Sequence, residues 1–151
     1  MRFILTAALV VGFTFLSKSQ APKLTIQTGH NDGITCFEIS SDGRYLATSG
    51  YDALIKLWDF RLKKEVFTFP IVKSVIECMS FSDAGDLLAS GGWDGEVQIW
   101  SVKEGKQVAS YKHYEGVKSI AFSPDGNHIA SVSYDSLLMI YSVKKDSIIG
   151  G

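Results

Sequence analysis

A histidine, a hydroxyl and a carboxylate occur together twice in this chain, as His30, Thr48 and Asp52 and again as His113, Ser131 and Asp135. These are the residue types of acyl transfer, in which an imidazole oriented by a carboxylate takes the proton of a hydroxyl nucleophile. Such a site needs one exposed nucleophile beside an oxyanion hole. A set that recurs, with no nucleophile elbow around either hydroxyl, does not meet that need. A metal centre fares no better. His30, His113 and His128 have no ligand spacing, and neither Cys36 nor Cys78 belongs to a Cys-x-x-Cys pair. No catalytic residue, cofactor or metal ion is therefore expected.

The elements that must position these residues repeat along with them. YDALIKLWD from Tyr51, WDGEVQIWS from Trp93 and YDSLLMIYS from Tyr134 align, with Asp52, Asp94 and Asp135 spaced by 42 and 41 residues. Upstream, FEISSDGRYLATSG, MSFSDAGDLLASGG and IAFSPDGNHIASVS, from Phe37, Met79 and Ile120, keep the same spacing. Each unit reads as β structure. Ile34, Phe37 and Ile39 open the first strand of unit one, a glycine turn follows at Asp42-Gly43, and Leu46 lies on the second strand. A third strand alternates Ile55 and Leu57, Val97 and Ile99, Leu138 and Ile140. Asp94-Gly95 predicts a two-residue hairpin turn. Its counterparts Asp52-Ala53 and Asp135-Ser136 are poorer turn formers, so turn sterics alone do not explain the aspartate. Four short strands per unit at this period match a propeller blade.

From Lys23 onward the sequence resembles the WD-repeat (WD40) β-propeller family. The resemblance rests on the Gly29-His30 dipeptide, the three turn aspartates, and Leu57-Trp58-Asp59 closing the first unit. It implies an all-β fold, a partial propeller of three four-stranded antiparallel blades in an open arc, with repeats at residues 30–70, 71–111 and 112–151. It also implies that the histidine, hydroxyl and aspartate belong to a buried hydrogen-bond chain completed by a tryptophan on the third strand. Carried over by position, the sets are His30, Thr48, Asp52 and Trp58; then Ser90, Asp94 and Trp100; then His113, Ser131, Asp135 and Tyr141. Val72 stands where the second set needs histidine, and Tyr141 replaces tryptophan in the third. A buried carboxylate needs several donors, so Asp94 is expected to be the least satisfied of the three. The residues before the aspartates are Tyr51, Trp93 and Tyr134. The resemblance places them near a narrow face where partners dock; the alternative is packing across the second and third strands. Cys36 and Cys78 occupy one position in adjacent units, too far apart for a disulfide, so both are expected as partly buried free thiols.

The ends of the chain carry further expectations. Arg2, the apolar run Phe3–Leu16 and the small residues Ser17 and Ser19 form the pattern of a secretory signal over residues 1–19, with an apolar run too short to span a bilayer. Residues 20–29 supply a linker and an extra outer strand, Lys23–Thr28. Aligning Ser142-Val143-Lys144 with Ser101-Val102-Lys103 sets Gly151 opposite Ser110, so the last strand of the third repeat is expected to be incomplete. Propellers close with about four to eight blades. Two expectations follow: an N-terminal part of a longer propeller, or a chain that closes its ring by self-association.

Hydrophobic residues make up 46% and charged residues 21%, which permits a packed core. Net charge is −1 with no basic run, and removing residues 1–19 takes it to −3, so nucleic-acid binding by phosphate neutralisation has no support. The expected function is a non-catalytic scaffold for a protein or peptide partner, secreted or periplasmic, with no membrane span once the signal is removed. The alternatives are a cytoplasmic protein, and a recognition module of a longer enzyme such as a caspase-like protease or another hydrolase.

Overall fold

A computed structural model describes residues 29–70 and 74–151. The expected signal segment, the strand at Lys23–Thr28 and Val72 lie outside the described residues. Among the described residues, twelve strands form three four-stranded antiparallel sheets. The first contains β1 (Ile34–Ile39), β2 (Tyr45–Gly50), β3 (Leu54–Asp59) and β4 (Lys64–Pro70). The second contains β5 (Ile76–Phe81), β6 (Leu87–Gly92), β7 (Glu96–Ser101) and β8 (Lys106–Lys112). The third contains β9 (Val117–Phe122), β10 (His128–Ser133), β11 (Leu138–Ser142) and β12 (Ser147–Gly150). Strand order follows sequence order in each sheet, the meander of a propeller blade. β8 runs one residue past the expected repeat boundary after Tyr111. β12 spans 4 residues, against 7 in β4 and β8.

Every blade carries the same two irregularities. Register shifts occur between Ile34 and Cys36, between Ile76 and Cys78, and between Val132 and Ser133 on the inner pair. On the outer pair they occur at Leu57/Trp58, Ile99/Trp100 and Ile140/Tyr141. A bulge re-aims the side chain beside it and sharpens the twist. Trp58, Trp100 and Tyr141 thus stand at the one place in each outer pair where the ladder bends.

The core lies between blades, not within them. Ala47, Ile55, Leu57 and Phe69 of the first blade pack on Ile76, Met79, Phe81, Leu88 and Trp100 of the second. Ala89, Val97, Ile99 and Tyr111 of the second pack on Val117, Ile120, Ile129 and Tyr141 of the third. Phe69 and Trp100 have ring centroids 5.0 Å apart, and Tyr111 stacks on Tyr141 at 4.9 Å. The outer blades show what stacking contributes. Phe37 is 66% exposed, whereas Met79 and Ile120 at the same repeat position are 8% and 7% exposed. Leu57 and Ile99 are buried, whereas Ile140 of the last blade is not. The arc is open, and its first and last faces are the uncovered ones. Both cysteines are free thiols. Burial raises the pKa of each, with Cys78 pushed up to about 12.

The turn joining β6 to β7 is not the two-residue hairpin that Asp94-Gly95 suggests. It has three residues, Trp93-Asp94-Gly95, closed by Gly95 N–H donating to Gly92 O at 3.1 Å. The left-handed backbone falls on the third residue after each blade's second strand: Ala53 (φ 57), Gly95 (φ 84) and Ser136 (φ 66). This turn type puts its positive φ after the bend, where a bulge tolerates it. At position 95 a second demand is added. A Cβ there would lie 2.7 Å from the carbonyl oxygens of His113 and Glu115, so blade two's turn is pressed against the entry to blade three. Gly95→Ala should therefore cost about 1–3 kcal/mol through overpacking against backbone, read by urea unfolding; an unchanged midpoint would contradict this docking.

Candidate functional site

The aromatic turns are anchored from below by their aspartates. In blade one, His30 Nδ1 lies 2.9 Å from Asp52 Oδ1 and 3.0 Å from Oδ2. His30 Nε2 lies 2.9 Å from Thr48 Oγ1, and Trp58 Nε1–H donates to the same oxygen at 2.9 Å. The donor inventory orients the chain. Trp58 can only donate, Asp52 only accept, and Thr48 has one hydrogen to give. All members are satisfied when Trp58 donates to Thr48, Thr48 to His30 Nε2, and His30 Nδ1–H to Asp52. Asn31 N–H (2.9 Å) and Leu54 N–H (3.3 Å) complete the carboxylate's shell. Burial alone raises the Asp52 carboxyl, but His30 and the two amides outweigh it, and the group titrates below its ordinary range.

Blade three builds the same ladder from different parts. His113 Nε2 lies 2.8 Å from Ser131 Oγ and His113 Nδ1 3.3 Å from Asp135 Oδ2. Tyr114 N–H and Leu137 N–H donate to Asp135, each at 2.9 Å. Burial raises the Asp135 carboxyl, and these contacts outweigh it and hold it low. Tyr141, expected to cap this set, does not join it. Its hydroxyl donates to Asp146, while Tyr111 of blade two donates to Ser131 Oγ at 3.0 Å. The physical reason is in the stacked pair: the Tyr141 ring lies nearly parallel to Tyr111, at 14°, and its hydroxyl points away from the blade's inner strands toward the β11–β12 turn. Tyr111 occupies the position of Phe69 in blade one, and that exchange of phenylalanine for tyrosine is the signal that sequence reading passed over. Burial pushes the Tyr111 phenol up to about 12.

In blade two, Trp100 Nε1–H donates to Ser90 Oγ at 3.0 Å. Among the described residues, Asp94 accepts only from Glu96 N–H, at 3.1 Å, and its own amide donates to Ser74 Oγ at 2.9 Å. None of the three hydroxyls is open to a substrate: Thr48, Ser90 and Ser131 are 7%, 0% and 1% exposed. An imidazole–hydroxyl pair so enclosed has no room for an acyl group beside it. Among the described residues, no group of three His, Cys, Asp or Glu side chains is placed to hold a metal ion.

Above each carboxylate sits an aromatic residue within the turn. Tyr51, Trp93 and Tyr134 are 54%, 57% and 54% exposed, and each donates its amide to the segment before its blade's first strand: to Gly33 O (2.9 Å), Val75 O (3.0 Å) and Gly116 O (3.0 Å). Tyr51 and Trp93 meet edge to face at 6.5 Å. The three rings thus stand in one row at the same edge of the arc. The residues sequence reading missed here are Glu77, Glu115 and Gly116, which line the space between Trp93 and Tyr134. No pattern within one repeat marks them, because they come from two blades.

Stacked four-stranded meanders with hydrogen-bonded turn aspartates define a blade-repeat β-propeller protein. The profile of the "WD domain, G-beta repeat" family (WD40) matches residues 22–59, 63–101 and 105–142, and the chain belongs to that family. It is 48% identical over 42 residues to the U3 snoRNP-associated protein-like EMB2271 of Arabidopsis thaliana, covering 28% of this chain and 9% of that protein. It is 40% identical over 45 residues to the target of rapamycin complex subunit wat1 of Schizosaccharomyces pombe, covering 30% and 14%. Among solved structures, the WD40 repeats of RRP9 superpose with a TM-score of 0.76 at 24% identity, covering 80% of this chain and 38% of that one. The matches span only a small part of the curated relatives' length, so the likeness establishes the repeat and the fold.

Two outcomes follow from the ladders. A carboxyl that titrates lower in the folded chain contributes stability above the unfolded value of about 3.9, and loses it as pH falls through the folded value. Asp52→Ala should cost about 1–3 kcal/mol at neutral pH, and the gap from the parent should narrow below about pH 3; urea unfolding at both pH values checks this, and a gap independent of pH would contradict it. Tyr111→Phe should destabilise by about 1 kcal/mol by removing the donor to Ser131, measured by the same method. No loss would mean that the hydroxyl contributes nothing to blade three.

Proposed function

We propose that the chain is a non-catalytic scaffold that binds a protein or peptide partner through the row of Tyr51, Trp93 and Tyr134. The observation that carries this reading is their exposure on backbone that is already ordered. Exposed rings of this size are favoured interface anchors, and holding them on a fixed turn lowers the entropy lost on binding. Packing across strands, the alternative role, would leave them covered. One relative named as a complex subunit and another named as snoRNP-associated support the same reading.

The proposal has two extensions. Export is supported by the order of Arg2, the apolar run Phe3–Leu16 and the small residues Ser17 and Ser19. Coverage of the arc's two end faces by further blades, in the same chain or in other copies, is supported by the exposure of Phe37, Ile39, Leu138, Ile148 and Ile149.

Trp93→Ala should remove the partners captured by the full-length chain while leaving its thermal midpoint within a few degrees, since the ring buries little. Unchanged capture, or a large fall in the midpoint, would return Trp93 to a packing role.

A further inference from the structure

Between the second and third aromatic turns lies an open surface cleft of about 360 Å3, lined by Trp93, Tyr134, Glu77, Glu115 and Gly116. The approach of the first and second turns is built differently. There Tyr51 and Trp93 close on each other, and Val75 holds the position that Gly116 holds in the cleft. Gly116 is bare for a reason: a Cβ would stand 3.2 Å from Trp93 O and 3.5 Å from the Tyr134 ring. The gap between the first and second turns has no acid at the matching positions: Thr35 and Ser74 stand where the cleft has Glu77 and Glu115.

The Glu77 carboxylate is incompletely served. Oε1 accepts a long contact from the Tyr134 hydroxyl at 3.4 Å. Oε2 is buried and has no hydrogen-bond partner among the described residues. A carboxylate oxygen closed off from water without a donor is costly and calls for a missing donor. Lys118 does not supply it; its Nζ lies 5.6 Å from the centroid of the Tyr134 ring and does not line the cleft. Two acids beside two aromatic side chains describe a site complementary to a cation on an apolar stem. The terminal torsion of glutamate is soft, so a small rotation presents Oε2 to an entering donor.

We propose that this cleft receives a lysine or arginine side chain of a bound peptide, its stem between Trp93 and Tyr134 and its charge on Glu77 and Glu115. The proposal rests on the aromatic row being the docking face, and it names the partner chemistry at one point on that face.

Selection of a random peptide library, displayed on phage, against the immobilised full-length chain tests it. The expected result is an enriched family sharing one lysine or arginine. Replacing that residue with norleucine should weaken binding about tenfold or more, the scale of a lost charge-assisted hydrogen bond. Glu77→Gln should weaken the basic peptide to a similar degree and leave the norleucine peptide unaffected. Enriched peptides that need Trp93 but carry no basic residue, or that bind equally well with norleucine, would overturn the cleft proposal and leave the aromatic docking face standing. Peptides indifferent to both Trp93→Ala and Tyr134→Ala, or no enrichment at all, would overturn both.

Discussion

A carboxylate set beneath a hairpin tip is the interaction on which the rest of this protein depends. Asp52 and Asp135 draw a histidine and two backbone amides each toward the turn, and so tie the entry of the blade to its central hairpin. Without those donors a buried carboxylate would be expensive. With them, the loop before the first strand, the second strand and the turn become one unit. The exposed rings at positions 51 and 134 sit directly on that unit. Trp93 sits on a blade with fewer contacts to its aspartate among the described residues, and there the neighbouring blade contributes instead. Gly95 is pressed against the His113–Glu115 segment, and His113 N–H donates to Gly95 O at 2.9 Å.

Contacts between blades therefore carry as much as contacts within them. The exchange at the aromatic stack shows this well. Between blades one and two, Phe69 packs on Trp100, and Trp100 itself donates to its own blade's Ser90. Between blades two and three, Tyr111 packs on Tyr141, and the hydrogen bond to Ser131 comes from the neighbour. The same hydroxyl position is satisfied in both cases, once from within and once from across the interface. A buried serine asks only for a donor at the right place, not for one from its own repeat.

That distinction marks what was legible in the sequence. The blades and the turn aspartates follow from residue types at a fixed period, and the roles of Trp58 and Trp100 as donors from the family resemblance carried over by position, because the relevant contacts lie within one repeat. The three-residue turns did not follow: the dipeptide Asp94-Gly95 resembles a tighter hairpin, and only the hydrogen bond from Gly95 to Gly92 shows where the bend falls. The part played by Tyr111, and the cleft of Glu77, Glu115 and Gly116, were hidden for a common reason. Each depends on which residues of adjacent repeats face one another, and a repeat-by-repeat alignment stacks equivalent positions rather than contacting ones. The exposure of the aromatic residues was open for the same reason, since it depends on how far apart neighbouring turns stand.

The ladders of blades one and three each run in one direction, from a ring donor through a hydroxyl and a histidine to the turn aspartate. The imidazole tautomers report that direction without any substitution. Nitrogen-15 NMR of the histidine side chains at neutral pH should show His30 and His113 protonated at Nδ1, with Nε2 unprotonated and accepting from Thr48 and Ser131. A proton on Nε2 of either residue would contradict the account, because it would leave a buried threonine or serine hydrogen with no acceptor in the ladder.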